Sequence, residues 1–313
     1  MHHPLFAPKR PNLIAGDITG LRGVDLGVRD VAAQVRFYTD VWRLAVVAER
    51  NGSVYLRGSG DYCHILALHP RSEPALLCVN LAAADRSAVD RLHARVTAAG
   101  APQVGPAAPI DGPGGGYGFV FMDPEGRSVR VITEDARHAD ARPLPDRPER
   151  ITHLVFNTPR QEDAAAFWVR ALGFHVSDRS LLTFIRCNDD HHCIAFHPGG
   201  SSTLHHIAFE MDGIDSVMRG AGRMRDAGRP IEWGPGRHGP GNNVFAYFIA
   251  PDDFVVEYTA EVEKVDRDHR VREPGAWVYP PGHSDLWGAT PPPSARMKAA
   301  QEKIRFAEGL FHP

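Results

Sequence analysis

Cysteine is scarce in this chain, with Cys63, Cys78, Cys187 and Cys193 the only four among 313 residues and no CxxC pair. That spacing excludes a thioredoxin-type motif and a cysteine-rich zinc site, and the chain is too long and too poor in cysteine for a disulfide scaffold. Lysine is rare as well: Lys9, Lys264, Lys298 and Lys303 are the only four of 35 basic residues. Basic and acidic residues nearly balance, 35 against 38, with no block of one sign, which argues against a nucleic-acid surface. No apolar run approaches the roughly 18 residues of a membrane span. The opening MHHPLFAPKRPNLIAG has no apolar core of a signal peptide. A reduced, cytoplasmic setting is the expectation, with no membrane and no nucleic acid as partner. What remains is an ordinary globular composition, 43% apolar and 23% charged, with 17 histidines that invite a search for metal ligands.

The chain repeats itself. GVDLGVRDVAAQVRFYTDVWRL (residues 23–44) lines up with HLVFNTPRQEDAAAFWVRALGF (153–174), and Phe37-Tyr38 falls on Phe167-Trp168. HILALHP (64–70) matches HCIAFHP (192–198), and ALLCVNLAAAD (75–85) matches TLHHIAFEMDG (203–213). Helical stretches follow at 88–99 and 214–227. FVFMDPEGRSVRVI (119–132) matches AYFIAPDDFVVEYT (246–259), each a strand, a turn begun by Pro124 or Pro251, and a strand. These matches predict an α+β fold of four βαβββ modules in two homologous halves, with cupped, mostly antiparallel sheets and outer helices. The expected segments are an N-terminal arm (1–19), a first half (20–135), a Pro-rich linker (136–150), a second half (151–262) and a C-terminal arm (263–313). The arm is read as extended, ending in a short amphipathic helix within MKAAQEKIRFAEGLF, and as either a lid or a subunit contact. The Gly-rich IDGPGGGY (110–117) lacks the spacing of a phosphate loop, and no helix follows it.

The repeat is its own control for function. Where the first half has Gly23, Cys78 and Arg130, the second has His153, His206 and Glu257. A lone histidine is usually structural, but three coincident replacements at matched strand positions make a 2-His-1-carboxylate set. Such a set binds Fe(II) on one face and leaves positions open for substrate and O2. A structural zinc site fits less well, since zinc prefers four closed N/S ligands.

Residues 20–262 resemble the type I extradiol ring-cleaving dioxygenases of the vicinal oxygen chelate superfamily, most closely in the second half. In GRHGPGNNVFAYFIAPDDFVVEY (236–258), His238, Tyr247 and Glu257 keep the family spacing of nine and ten residues. LHHIAFEM resembles the strand whose second histidine, His206, binds metal, and ITHLVF the strand of the first ligand, His153. CNDDHHCIAF resembles the segment of the acid–base histidine, which falls on His192 with His191 as its neighbour. His64 occupies the same place in the ligand-free half, so histidine there can also be structural.

The resemblance implies an oxidoreductase that opens a catechol-type ring beside its two hydroxyls with O2 at mononuclear Fe(II), giving a muconic semialdehyde-type product. Mn(II) is the other metal these ligands serve. His192, Tyr247 and His238 are the expected catalytic residues, and with Trp233 they make up the expected substrate contacts. Trp233 stands where the homoprotocatechuate-cleaving branch carries a carboxylate-binding arginine, which favours a neutral or aryl/alkyl catechol. Relatives of this kind are homo-oligomers, commonly tetramers. The competing readings are a non-oxygenase metal enzyme of the same superfamily, such as an isomerase or thiol transferase, and a metal-free protein that binds a small aromatic.

Overall fold

The computed structural model describes residues 16–311. The first half begins with β1 (Ile18–Val28), then α1 (Val31–Arg36), which runs on as a π-helical turn through Phe37–Val41. β2 (Ala45–Arg50), β3 (Ser53–Arg57) and β4 (Leu66–Pro70) complete the first module. β5 (Ala75–Ala83), α2 (Arg86–Ala98), β6 (Gln103–Val104), β7 (Ala108–Pro109), β8 (Tyr117–Met122) and β9 (Ser128–Thr133) form the second. The second half repeats the order. Its third module is β10 (Ile151–Thr158), α3 (Gln161–Leu172), β11 (His175–Arg179), β12 (Thr183–Arg186) and β13 (Ile194–Pro198). Its fourth is β14 (Thr203–Glu210), α4 (Ile214–Asp226), β15 (Trp233–Arg237), β16 (Val244–Ile249) and β17 (Val255–Ala260). In the arm, α5 (Ala295–Ala300) precedes β18 (Arg305–Phe306).

Each half is one curved sheet. The first runs β2-β3-β4-β1-β5-β9-β8-β6, with β7 added on β8 and β18 on β5; the second runs β11-β12-β13-β10-β14-β17-β16-β15. Neighbours are antiparallel except where a module's first strand meets its last, as in β10 with β13 and β14 with β17, and where β18 joins β5. The central strands are buried along nearly their whole length, because helices cover one face and the cup closes the other. Helix ends follow local chemistry. Asp85 accepts from the Ala88 amide at 2.7 Å to start α2, and Gly173 in the left-handed region closes α3.

The halves hold each other through exchanged aromatics, within one apolar core that contains residues of both. Trp42, at the end of the first-half helix, is fully buried on the second sheet, stacked on Tyr258 at 3.7 Å and edge-on to Phe209. Trp168, on the matching helix of the second half, donates its indole N–H to Asp123 of the first at 3.1 Å.

One expectation about the ends changes. β1 already begins at Ile18, inside the expected N-terminal arm, and residues 1–15 of that arm lie outside the described residues. The short terminal helix is present as α5, which stops at Ala300. Tertiary contacts claim the chain beyond it: the Gln301 carbonyl accepts from Asn157 at 2.7 Å, and β18 joins β5 of the other half. Among the described residues no helix is long and apolar enough to cross a membrane.

Trp42→Ala removes one of the two tryptophans from this shared core, so stability should fall by about 3–5 kcal/mol in urea unfolding. Acid should also unfold the protein from a defined pH. Asp25 is buried, which alone would raise its pKa, but Arg130, His69 and Asn80 hold it below the carboxylate range. Asp190 is likewise buried and held down by Arg150 and Lys264. Carboxyls depressed in the folded state give stability that is complete above the ordinary value of 3.8. That stability is lost as pH falls through the folded value, because the unfolded chain takes up protons first. Buried histidines such as His64, which burial pushes well below the ordinary value of 6.5, take up protons first in the unfolded chain, so the urea midpoint should begin to fall below about pH 6.5 and drop more steeply below about pH 4.

Candidate metal centre and active-site cavity

One cross-strand row builds the site. In the second sheet His153 lies opposite Ala208, Ala208 opposite Glu257, Glu257 opposite Tyr247, and Tyr247 opposite Trp233. Directly paired residues share a face, so the row points into the cup together. His206 is two residues from Ala208 and joins the same face. The same register in the first sheet sets Gly23 opposite Asn80 and Asn80 opposite Arg130, with Cys78 opposite Asp25.

His153, His206 and Glu257 converge, and all three are buried. Both imidazole Nε2 atoms lie 3.2 Å from Glu257 Oε2 and 3.4 Å from each other. Glu257 is fully buried. Burial alone would raise its pKa, but His153 and His206 outweigh it and hold the carboxyl well below the usual range. Two ring nitrogens and an anionic oxygen aimed at one point form the donor set of a divalent cation site. The outer contacts fit as well. His205 Nδ1 lies 2.7 Å from His206 Nδ1 and also accepts from the Gln301 amide, so His206 presents Nε2 to the centre. Asn243 donates to Glu257 Oε1 at 3.4 Å.

The remaining expected residues surround this trio. His192 sits with its ring 4.4 Å from that of His153, and its Nδ1 is engaged by His191, which leaves Nε2 for the cavity. Burial, followed by the neighbouring His153, pushes its pKa well below the ordinary histidine value. His238 Nε2 and Tyr247 Oη are 3.0 Å apart. Burial lowers His238 to about 4 and, with Glu257, raises Tyr247 well above its ordinary value. At neutral pH both imidazoles are therefore uncharged and the phenol keeps its proton. Trp233 stacks beside Tyr247 at 5.2 Å.

These side chains line a cavity of about 630 Å³ whose walls include Val155, Leu182, Phe184 and Met297. The C-terminal arm contributes Tyr279, Met297 and Gln301 to that lining. Sequence reasoning missed Asn243, the His205–Gln301 contact and Asp178, which bonds His191. Asn243 sits inside a motif already in view, whereas nothing local marks Gln301 or Asp178.

Comparison with known proteins follows from this geometry. Residues 150–258 match the profile of the Glyoxalase/Bleomycin resistance protein/Dioxygenase superfamily. A solved Mn(II)-bound glyoxalase from Novosphingobium aromaticivorans is 38% identical, covers 95% of each chain, and superposes with a TM-score of 0.84. The chain belongs to this superfamily. Another solved member, a variant of homoprotocatechuate 2,3-dioxygenase from Brevibacterium fuscum, is 25% identical over 90% of this chain and 81% of its own, at a TM-score of 0.78. Metapyrocatechase 2 of Cupriavidus necator is 34% identical over 122 residues, a stretch that spans 38% of either chain. The superfamily's α+β architecture of repeated modules is the one described above.

A divalent metal should raise the melting temperature, because a ligand that binds only the folded state stabilises it, by about 2.7 kcal/mol at a hundredfold excess over Kd. Glu257→Gln removes the anionic donor and should abolish that shift in a thermal melt. A wild-type chain that does not respond to Fe(II), Mn(II) or Zn(II) would count against a metal centre here.

Proposed function

We propose that this protein is an extradiol dioxygenase, opening the ring of a catechol-type substrate with O2 at a mononuclear Fe(II) centre held by His153, His206 and Glu257. The observation that carries the reading is the company the trio keeps: His192 on one side, His238 and Tyr247 on the other, within one largely apolar cavity. A metal-free binding protein would need no buried ionised carboxylate beneath its ligand, and an isomerase, though it moves protons, would not need this constellation of His192, His238 and Tyr247. A metal held by these three residues would supply what side chains lack, redox chemistry between a catechol and O2. Mn(II) fits the same donors, and reconstitution with each metal decides between them.

The chain's own groups supply the rest. His192, neutral and with Nε2 free, takes a proton from a catechol hydroxyl and returns one as the ring opens. Tyr247 keeps its proton at neutral pH and donates its O–H to a substrate oxygen, and His238 braces that phenol. Trp233, Phe184, Leu182 and Met297 exclude water around the ring.

A cavity of about 630 Å³ exceeds what an unsubstituted ring occupies and lies in the range that takes drug-sized ligands. Its walls are apolar, and Lys298 is the one Lys or Arg among the lining residues. Both features support a neutral aryl- or alkyl-substituted catechol over a carboxylated one. The same reading carries a homo-oligomer, a tetramer, which light scattering measures.

The test is O2 uptake by anaerobically purified, Fe(II)-loaded protein offered unsubstituted, alkyl, aryl and carboxylated catechols. Stoichiometric uptake with a yellow semialdehyde is expected, fastest with the aryl or alkyl members. His192→Phe should keep metal content and anaerobic catechol binding while kcat falls about a hundredfold or more. No uptake at one metal per chain, with isomerase turnover of a glyoxalase substrate instead, would replace this reading.

A further inference from the structure

Behind His192, away from the cavity, lies a buried chain of hydrogen bonds. His192 Nδ1 is 3.0 Å from His191 Nδ1, and His191 Nε2 is 2.6 Å from Asp178 Oδ2. His191 and Asp178 are both fully buried. The Arg272 backbone N–H and Nε donate to the same carboxylate, each at 2.9 Å, and His269 Nε2 lies 3.2 Å from it. Asp178, His191 and His269 have the makings of a second metal cluster, but the Arg272 guanidinium already neutralises the carboxylate they share. The cluster therefore acts through hydrogen bonds.

Those bonds allow one proton arrangement for a neutral pair. Asp178 is an acceptor: burial works against its charge, but His191 and Arg272 hold the carboxyl below the usual range. His191 Nε2 must then carry the hydrogen. Burial keeps the His191 ring neutral, so its Nδ1 is a lone pair and can only accept. His192 must donate from Nδ1, which leaves its Nε2 lone pair facing the cavity. Packing holds the ring in that orientation. Gly241 lies so close that a Cβ there would sit 3.1 Å from His192 Nδ1, and Phe184 meets the ring edge-on at 5.0 Å.

We propose that Asp178 and His191 are positioning residues for His192, fixing it as the Nδ1–H tautomer so that Nε2 faces the substrate ready to take a proton. The proposal rests on the ring-cleavage reading for its catalytic consequence, though the tautomer itself does not. With the other tautomer Nε2 carries a hydrogen and cannot accept from a catechol hydroxyl. Asp178→Asn can donate towards His191 and so stabilises that wrong arrangement, much as a misplaced amide does in other carboxylate–histidine pairs.

Two measurements test it. Long-range proton–nitrogen NMR on Zn(II)-loaded protein with ring-labelled histidine, assigned with His191→Gln and His192→Phe, should show His191 as the Nε2–H tautomer and His192 as the Nδ1–H tautomer. Asp178→Asn should lose that pattern. A wild-type His192 carrying its hydrogen on Nε2 would overturn the proposal, whatever the enzyme does. In steady-state kinetics Asp178→Asn should lower kcat about a hundredfold with KM and metal content unchanged. His269→Gln, which touches the same carboxylate but lies outside the chain to His192, should stay within a few-fold of wild type. His191→Gln breaks the same link should Asp178→Asn fail to fold. An Asp178→Asn or His191→Gln enzyme with near-normal kcat would refute the positioning role. A wild-type protein inert towards every catechol would refute the ring-cleavage reading instead, leaving the NMR result to decide the tautomer.

Discussion

An ionised carboxylate with no exposure to water is expensive unless positive charge or strong donors surround it. Glu257 is that group here, and much of the second half is arranged around it. Its strand is central, so water cannot reach it. Two imidazole nitrogens at 3.2 Å and the Asn243 amide are its partners within the chain. A divalent cation held at their meeting point would complete the compensation of that buried charge. The uncharged state of His192 and His238 follows from the same burial, and it leaves them able to exchange protons with a substrate.

The first half shows how the same scaffold settles when that charge is absent. Its matching positions hold Gly23, Cys78 and Arg130, and the buried carboxylate beside them is Asp25, bonded to His69 at 2.8 Å and Asn80 at 2.6 Å. Arg130 supplies the countercharge internally. Phe311 from the C-terminal arm packs against Leu77 and Cys78 and edge-on to His69, occupying the space where the other cup is open. One half thus ends as a sealed ion-pair core and the other as a cavity. The arm serves both: its middle lines the cavity and its end fills the first cup.

Much of this was legible in the residues. The repeat exposed the four modules because each recurs with its aromatic pair, its His-Pro strand and its turn proline in place. It also isolated His153, His206 and Glu257, since the two copies share a fold and differ where chemistry is added. The choice of His206 over His205 came from the motif, and in the structure His206 faces the trio while His205 supports it from behind. The short terminal helix was legible too, but not where the chain goes after Ala300, because the backbone there is claimed by Asn157 and Leu204.

The sequence by itself determined the architecture and singled out the side chains of the second half that the structure brings together. Periodicity and internal repetition are local properties, and they survive without coordinates. Only the tertiary structure decided which ring nitrogens of the histidines meet, that Asp178 stands behind His191, that Gln301 reaches His205, and that the arm lines one cup and fills the other. Those facts depend on contacts between segments far apart in the chain, and hydrogen-bond direction is set by which groups burial brings within 3 Å of one another.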